Sequence, residues 1–569
     1  MSALSARNLD NKHMPLQQPA ADPSFAYWQT YRATLPTIGE AWITACKRVG
    51  STILIRDTQG TVLSATKALV GSIVLSKHFS RLSPEQNIGI LLPSSSASVL
   101  SNLACMLLGK TAVNLNFTAS TAALRSSLQQ ADIRTVYTSA RFLERLQGRG
   151  IDTSFLHTQC KVVQLEDLRA ATSTLQKLRI LLCCQLLPVA VLQRMFCREH
   201  DPEQNAVILF SSGSEGHPKG VMLSHRSIMA NVKQCALLFN FASDDVILAN
   251  LPPFHAFGLT ATYFLPVLEG VPIFCHADPT DVSATAQALA EHKITAMFGT
   301  SSFFRLYVKN NKVLPEQLAS LRLLVAGAEK LQPEVRSEFK HKFGKDIYEG
   351  YGATETAPVA SCNLPEDKRP PWVGKALINK TGSVGLPLPG TCFYIVDPDS
   401  FEPLPTGTPG MVLISGPQVM HGYLDNHALT QHVIRTLDDK RWYVSGDKGY
   451  LDADGFLFIQ DRYSRFAKIG GEMVGLGTVE RALKDAVGDP ELELLVTNLP
   501  CDRKGEKLVA LCTQVLDPQA LRDKLLASGL NALAIPALCY TVAEIPKLGS
   551  GKTDFAAAKK LAADLCRGN

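Results

Sequence analysis

The densest set of chemically capable residues is Ser211-Ser212-Gly213-Ser214-Glu215-Gly216-His217-Pro218-Lys219-Gly220. Three serine hydroxyls, three glycines and one lysine ammonium fall in one short stretch. Glycines let backbone amides approach an anion closely, and the hydroxyls and the ammonium add donors and positive charge. A triphosphate needs that combination at one place. The competing reading is an ordinary glycine-rich turn. The apolar run Ala206-Val207-Ile208-Leu209-Phe210 precedes the loop and a helix-like stretch, Ser227 to Phe239, follows it, so a strand-to-helix placement is expected. The loop is not a Walker A motif, because Lys219 follows Pro218 and precedes Gly220. A second Walker-like stretch, Gly549-Ser550-Gly551-Lys552-Thr553, fails at its first-glycine position, where Pro546 has no N–H to donate.

The elements that must hold such a loop show in the rest of the chain. Between 25 and 200, helical patterns alternate with short apolar runs such as Asn87-Ile88-Gly89-Ile90-Leu91-Leu92 and Thr135-Val136-Tyr137-Thr138, which predicts an α/β layer with a parallel sheet. The rhythm resumes over 201–375, through Thr295-Ala296-Met297-Phe298 and Leu321-Arg322-Leu323-Leu324-Val325. Over 376–460 short β-rich runs, Cys392-Phe393-Tyr394-Ile395-Val396 and Gly410-Met411-Val412-Leu413-Ile414, are set off by Pro and Gly and predict a small β-barrel-like subdomain. Polar residues 461–465 then lead into a small α+β domain over 466–569, and residues 1–24 read as a loose tail.

Composition agrees with a globular protein. Of 569 residues, 46% are hydrophobic and 19% charged, enough apolar material for a sizeable core. The net charge of +5, from 57 basic and 52 acidic residues, does not point to nucleic acid. The 14 cysteines are scattered without a CxxC, as expected of free thiols in a reducing compartment. The N-terminus lacks the shape of a signal peptide, and no apolar run reaches the roughly 18 residues of a spanning helix, so a cytoplasmic location is expected.

Taken in order, these residues resemble the adenylate-forming enzymes: acyl- and aryl-CoA synthetases, luciferases and adenylation domains. The loop at 211–220 is similar to that family's Ser/Thr/Gly-rich phosphate signature, with Ser211 and Ser214 standing for Thr and Glu215 replacing the second loop Thr. Leu251-Pro252-Pro253-Phe254-His255 resembles its substrate-side motif and Ala326-Gly327-Ala328-Glu329 its adenine-side turn. Tyr351-Gly352-Ala353-Thr354-Glu355, preceded by Gly350, resembles its Y-G-x-T-E motif. Tyr443-Val444-Ser445-Gly446-Asp447 resembles Y-x-T-G-D, Asp461-Arg462 the hinge signature, and Lys552 the late catalytic lysine. The wording SGSEGHPKGVMLSHRSIMANV, FAKIGGEMV and PKLGSGK is most similar to bacterial acyl-acyl carrier protein synthetases, related to the ligase half of 2-acylglycerophosphoethanolamine acyltransferase.

The resemblance implies two half-reactions. A fatty acid carboxylate attacks the α-phosphorus of Mg·ATP, and a pantetheine thiol then takes the acyl group. It implies Ser211, Ser212, Gly213, Ser214, Glu215, Gly216 and Lys219 around the β- and γ-phosphates. Thr354 would donate to phosphate and Glu355 would ligate Mg2+. Gly327, Ala328, Glu329, Gly350, Tyr351 and Gly352 would line the adenine, while Asp447 and Arg462 would take the ribose. Lys552 would neutralise charge at the reacting carboxylate and α-phosphate, and His255 would border the acid, although a core histidine beside Phe254 and Phe257 is the competing reading. Segment 461–465 would be the hinge of a mobile C-terminal domain, with Ser464 where many members carry Asp or Lys, and Lys468, Gly470 and Gly471 would face the thiol.

Acyl carrier protein is the expected thiol partner, with CoA as the alternative. A non-catalytic acyl- or nucleotide-binding module is the third reading. Lys340, Lys342 and Lys345, or Arg503, Lys504 and Lys507, are the candidate docking patches. The apolar stretch from Leu175 to Arg198 with basic flanks predicts a buried helix pair broken at Pro188, or a surface that makes peripheral contact with the inner membrane.

Overall fold

The computed structural model describes residue 28 and residues 35–198, 201–211, 218–437, 439–469, 472–489, 492–501, 505–527, 530–547 and 553–567. The expected tail at 1–24 lies outside them. The N-terminal part is built on two sheets. The seven-stranded sheet runs, in spatial order, Gly422–Tyr423, Lys219–Ser224, Asn205–Ser211, Thr111–Asn114, Asn87–Ile90, Thr135–Thr138, Lys161–Gln164. The nine-stranded sheet runs Leu386–Pro387, Val359–Cys362, Tyr348–Gly352, Leu323–Ala326, Ala296–Gly299, Ile247–Ala249, Ile273–Cys275, Ile53–Asp57, Val62–Ser64.

The inner strands of both sheets pair in parallel and are largely buried. Thr111–Asn114 and Leu323–Ala326 are buried at every position. Helices on both faces remove the need for a polar side. Several helices start where the sequence provides a cap. Thr37 and Glu40 form a reciprocal capping box for Ile38–Val49, and Ser95 accepts from Ser98 N at the start of Ser96–Leu108.

The expected division at residue 200 does not coincide with the sheets. Strands at 53–64 join the nine-stranded sheet, while strands at 205–224 complete the seven-stranded one. Ile55 pairs with Ile273 across a long crossover. Parallel pairing places no demand on sequence proximity, so the local pattern does not reveal which sheet a strand enters.

A five-stranded antiparallel sheet follows, with Cys392–Val396, Gly410–Ser415, Lys440–Leu451 and Ile434–Leu437 in line and Leu457–Arg462 farther along the same edge of the long strand as Ile434–Leu437. The C-terminal part has its own sheet over 466–541, covered by helices Leu476–Val487, Pro518–Ala527 and Phe555–Arg567, and separate apolar cores around Val479 and Val509. This is the expected α/β class: a large N-terminal portion and a small α+β C-terminal domain.

The stretch at 175–198 forms helices Thr174–Leu186 and Val189–Phe196, broken at Pro188. The expectation of a buried pair needs correction. Of the two helices only Ile180, Cys184 and Leu192 are fully buried, because each helix presents one side to the helices Ile38–Val49 and Ala65–Leu82 and leaves Leu175, Leu178, Leu182, Leu186, Val191 and Met195 exposed on the other. No helix among the described residues is long and apolar enough to cross a membrane.

Candidate active site

The glycine-rich loop does not lead into a helix. Asn205–Ser211 and Lys219–Ser224 are antiparallel partners, with Ser211 opposite Lys219. Residues 212–217, which include Ser212, Gly213, Ser214, Glu215 and Gly216, lie outside the described residues, but their flanks form a hairpin stem. The helix starts only at His225, with Ser224 as its cap. An anion at this loop is therefore not set on that helix's N-terminus. Positive charge must come from backbone amides and Lys219.

A third strand fixes the stem. Gly422–Tyr423 pairs with Lys219–Ser224, placing Tyr423 opposite Val221. The Lys219 ammonium sits 5.8 Å from the centre of the Tyr423 ring. The Tyr423 hydroxyl donates to Glu355 Oε1 at 2.7 Å, and Met420 N donates to the Glu355 carbonyl at 2.8 Å. One aromatic side chain thus joins the end of the loop to the carboxylate expected to meet the metal. Tyr423 was not foreseen, since its role depends on pairing between strands some 200 positions apart.

Thr354 and Glu355 lie in a single 3-10 turn, Thr354–Thr356, that follows strand Tyr348–Gly352. Gly352 is required there. A Cβ at this position would sit 1.8 Å from the Pro358 carbonyl oxygen, where the chain turns back into Val359–Cys362. Thr356 Oγ1 donates to the same carbonyl at 2.6 Å and holds the turn closed.

Asp447 and Arg462 face each other directly on neighbouring antiparallel strands. Arg462 Nε donates to Asp447 Oδ1 at 3.1 Å, and the Tyr351 hydroxyl donates to Oδ2 at 2.5 Å. Asp447 is 5% exposed. Burial pushes its carboxyl above the usual carboxylate range, with Arg462 pulling the other way. Tyr443 lies in the same field: burial raises its phenol, followed by Glu355, Tyr423, Asp447 and Tyr351. The structure therefore brings Tyr351, Glu355, Tyr423, Tyr443 and Asp447 into one group, with Tyr423, Tyr443 and Asp447 buried and Arg462 closing it from the exposed side.

The expected adenine turn follows strand Leu323–Ala326. Ala328 adopts a left-handed φ of 68°, and a Cβ on Gly327 would lie 3.2 Å from the Phe257 ring. The Glu329 carboxylate accepts from Ser302 N, at the start of helix Ser301–Lys309. That is a bracing role, distinct from the expected nucleotide contact. His255 is half-buried, its ring centroid 4.6 Å from that of Phe254. It precedes Phe257–Phe264, a π-helical segment in which a Cβ on Gly258 would fall 2.2 Å from the Pro252 carbonyl oxygen. Phe257 thereby links the His255 segment to the turn at Gly327.

Between the large and small domains, Asp461 Oδ1 accepts from Arg462 N and Oδ2 from Gly477 N, at 2.8 and 3.1 Å. Arg465 pairs with Glu480 at 2.6 Å. Ser464 lies in the short 3-10 turn Tyr463–Arg465. Lys552, Gly470 and Gly471 lie outside the described residues. The lysine patch expected at 340–345 needs correction. Lys342 Nζ donates to three carbonyls, of Tyr307, Val308 and Asn310, Lys345 Nζ to those of Ala319 and Leu321, and Lys340 pairs with Asp346. These ammonium groups finish local turns and are already engaged. Arg503 and Lys504, in the other expected patch, lie outside the described residues.

No group of three or more His, Cys, Asp or Glu side chains arranged for a metal occurs among the described residues. Among the described residues Glu355 Oε1 is taken by Tyr423 and no donor reaches Oε2. That suits Mg2+ bound by one carboxylate, with water and phosphate oxygens completing its shell.

These residues lie on neighbouring sheet edges and beside the segment that leads into the C-terminal domain. A family profile described as AMP-binding enzyme matches residues 75–424, and the chain belongs to that family. It is 28% identical over 478 residues to 4-coumarate–CoA ligase 1 of Arabidopsis thaliana, covering 83% of this chain and 82% of that one. It is 30% identical over 360 residues to a long-chain-fatty-acid–CoA ligase of Bacillus subtilis, covering 62% of this chain and 61% of that one. The fold is similar to ATP-bound MatB from Rhodopseudomonas palustris, with a TM-score of 0.75 and 20% identity over 93% of this chain and 99% of that one. It is also similar to o-succinylbenzoate CoA synthetase of Bacillus subtilis bound to its acyl-adenylate, with a TM-score of 0.74 and 21% identity over 90% and 96% of the two chains.

Proposed function

We propose that the protein activates a fatty acid with ATP as an acyl adenylate and transfers the acyl group to the pantetheine thiol of an acyl carrier protein. The observation that carries the adenylation half is the Asp447 carboxylate, gripped by Tyr351 and Arg462, in one group with Glu355 and, through Tyr423, Lys219. A carboxylate facing a nucleotide suits the two ribose hydroxyls, which donate to it. A carboxylate and a lysine nearby suit a metal-bound phosphate chain.

In the first half-reaction a carboxylate oxygen attacks the α-phosphorus and pyrophosphate leaves. Two anions must approach, so charge neutralisation dominates the barrier. Lys219 supplies one positive charge at the loop. Lys552, on the C-terminal domain, supplies the second in this reading. Thr354 donates a hydroxyl to phosphate, and Glu355 would hold Mg2+, which screens phosphate charge when bound. In the second half-reaction the thiol attacks the acyl carbonyl and AMP leaves. The segment 461–465, tethered through Asp461 to Gly477, is the element about which the small domain would swing.

Support for the carrier protein comes from the wording of the loop and C-terminal motifs. CoA is the second reading, favoured by the names of the similar ligases. The test is pyrophosphate release over a panel of fatty acids, followed by trapping with either thiol. Acyl transfer to carrier protein is expected. Transfer to CoA alone would replace the first reading by the second, and no acid-dependent pyrophosphate would remove both.

A further inference from the structure

Among the described residues thirteen large apolar side chains are exposed, and six of them, Leu175, Leu178, Leu182, Leu186, Val191 and Met195, fall within residues 175–195. They are between 41% and 77% exposed. Scattered single apolar side chains need no explanation, but a concentration of this kind marks an interaction surface. The four leucines lie within about 80° of one another around helix Thr174–Leu186, taking 100° per residue, and so form one stripe. Val191 and Met195 are one turn apart on Val189–Phe196. The opposite side of the pair is anchored in the core through Ile180, Cys184 and Leu192.

Charge selects the occupant. From Leu168 to Arg198 there is no acidic residue, while Arg169, Lys177, Arg179, Arg194 and Arg198 are all basic. Arg179 and Arg194 are exposed beside the apolar positions. Two lysines from neighbouring helices border the same unit: Lys47 Nζ donates to the Cys184 and Gln185 carbonyls, and Lys77 lies 5.5 Å from the Phe196 ring. Glu40, whose backbone carbonyl accepts from Gln193 Nε2, has its carboxylate engaged by Thr37 at the start of its own helix. Within 174–196 every charged residue, Lys177, Arg179 and Arg194, is basic, and an apolar stripe carrying such charges fits a surface that is apolar inside and negatively charged outside.

We propose that the helix pair 174–196 docks the protein on an anionic lipid bilayer, with the leucine stripe entering the headgroup boundary and Arg179 and Arg194 meeting lipid phosphates. The inference does not rest on the acyl substrate. The test is sedimentation of the full-length protein with vesicles of phosphatidylcholine containing phosphatidylglycerol, compared with phosphatidylcholine alone. Wild type is expected to partition preferentially to the phosphatidylglycerol vesicles and to release as salt rises. The double variant Leu178→Asp/Leu182→Asp is expected to lose at least tenfold in partitioning, and Arg179→Glu/Arg194→Glu to lose binding to the anionic vesicles. The second pair changes no apolar side chain and serves as the control if the first folds poorly. Equal sedimentation with and without anionic lipid, or variants that partition like wild type, would overturn the proposal. So would absence of vesicle binding together with a leucine-dependent dimer in analytical ultracentrifugation, which would assign the face to a second copy of the chain.

Discussion

Replacing Asp447 by Asn keeps the shape of the side chain and removes its charge. In the free protein the carboxylate accepts one bond from Tyr351 and one from Arg462. The Arg462 side chain is 65% exposed, so solvent screens that pair and its loss contributes little to stability. Burial already holds the Asp447 carboxyl above its usual range, so neutralisation also relieves a desolvation penalty. The melting midpoint should therefore change little. Nucleotide binding should change much more. Hydrogen bonds to a charged acceptor contribute about 1.5–3 kcal/mol each and are roughly twice as strong as neutral ones. Halving two ribose bonds removes about 1.5–3 kcal/mol, or roughly 10- to 150-fold in affinity. The pH dependence has a definite sign. The folded state holds this proton more tightly than the unfolded chain, so the group's contribution to stability falls as pH rises from the usual carboxylate range to the raised value, and is flat above it. Nucleotide affinity runs the other way and falls as pH drops through the raised value. Calorimetric titration of AMP against both proteins from acid to neutral pH checks this. A variant that binds within twofold of wild type, with the same pH profile, would refute the assignment of Asp447 to the ribose.

Three further outcomes follow from the same geometry. Tyr423→Phe removes the 2.7 Å bond that orients Glu355, and is expected to lower acid-dependent pyrophosphate release by about 5- to 30-fold, from about 1–2 kcal/mol, and to raise the magnesium concentration needed for half-maximal rate; an unchanged magnesium dependence would contradict it. Gly352→Ala places a methyl 1.8 Å from a backbone oxygen, so a loss of several kcal/mol, read as a strongly lowered denaturant midpoint or insoluble protein, is expected. Gly477→Ala puts a methyl 2.5 Å from Asp461 Oδ2 and displaces that carboxylate, so trypsin should cut faster at Arg462 and Arg465 while the core of the large domain melts as before; wild-type cleavage kinetics would argue against the tether.

Much of this site was legible because short motifs carry it. Tyr351, Thr354 and Glu355 are adjacent in sequence and fold into one strand and turn, and Asp447 and Arg462 flank a single antiparallel hairpin. Features that rest on long-range pairing were not legible. Tyr423 acquires its role only when Gly422–Tyr423 joins Lys219–Ser224. The loop was expected to lead into a helix because the strong helical period from Ser227 obscured the intervening strand Lys219–Ser224. The helices at 174–196 illustrate a different limit: a strongly apolar sequence reads as buried, yet a helix on the surface of the fold can pack only one side.

The central claim is that the loop at 211–220, the Asp447 group and Lys552 act on one nucleotide. Fatty-acid-dependent exchange of labelled pyrophosphate into ATP tests it most directly, because the reaction requires a reversible acyl adenylate and no thiol. The account predicts exchange by the wild type, and loss of at least a hundredfold in both Lys219→Ala and Lys552→Ala with the fold intact. Exchange in those variants at the wild-type rate, or none in the wild type with any carboxylate, would contradict it.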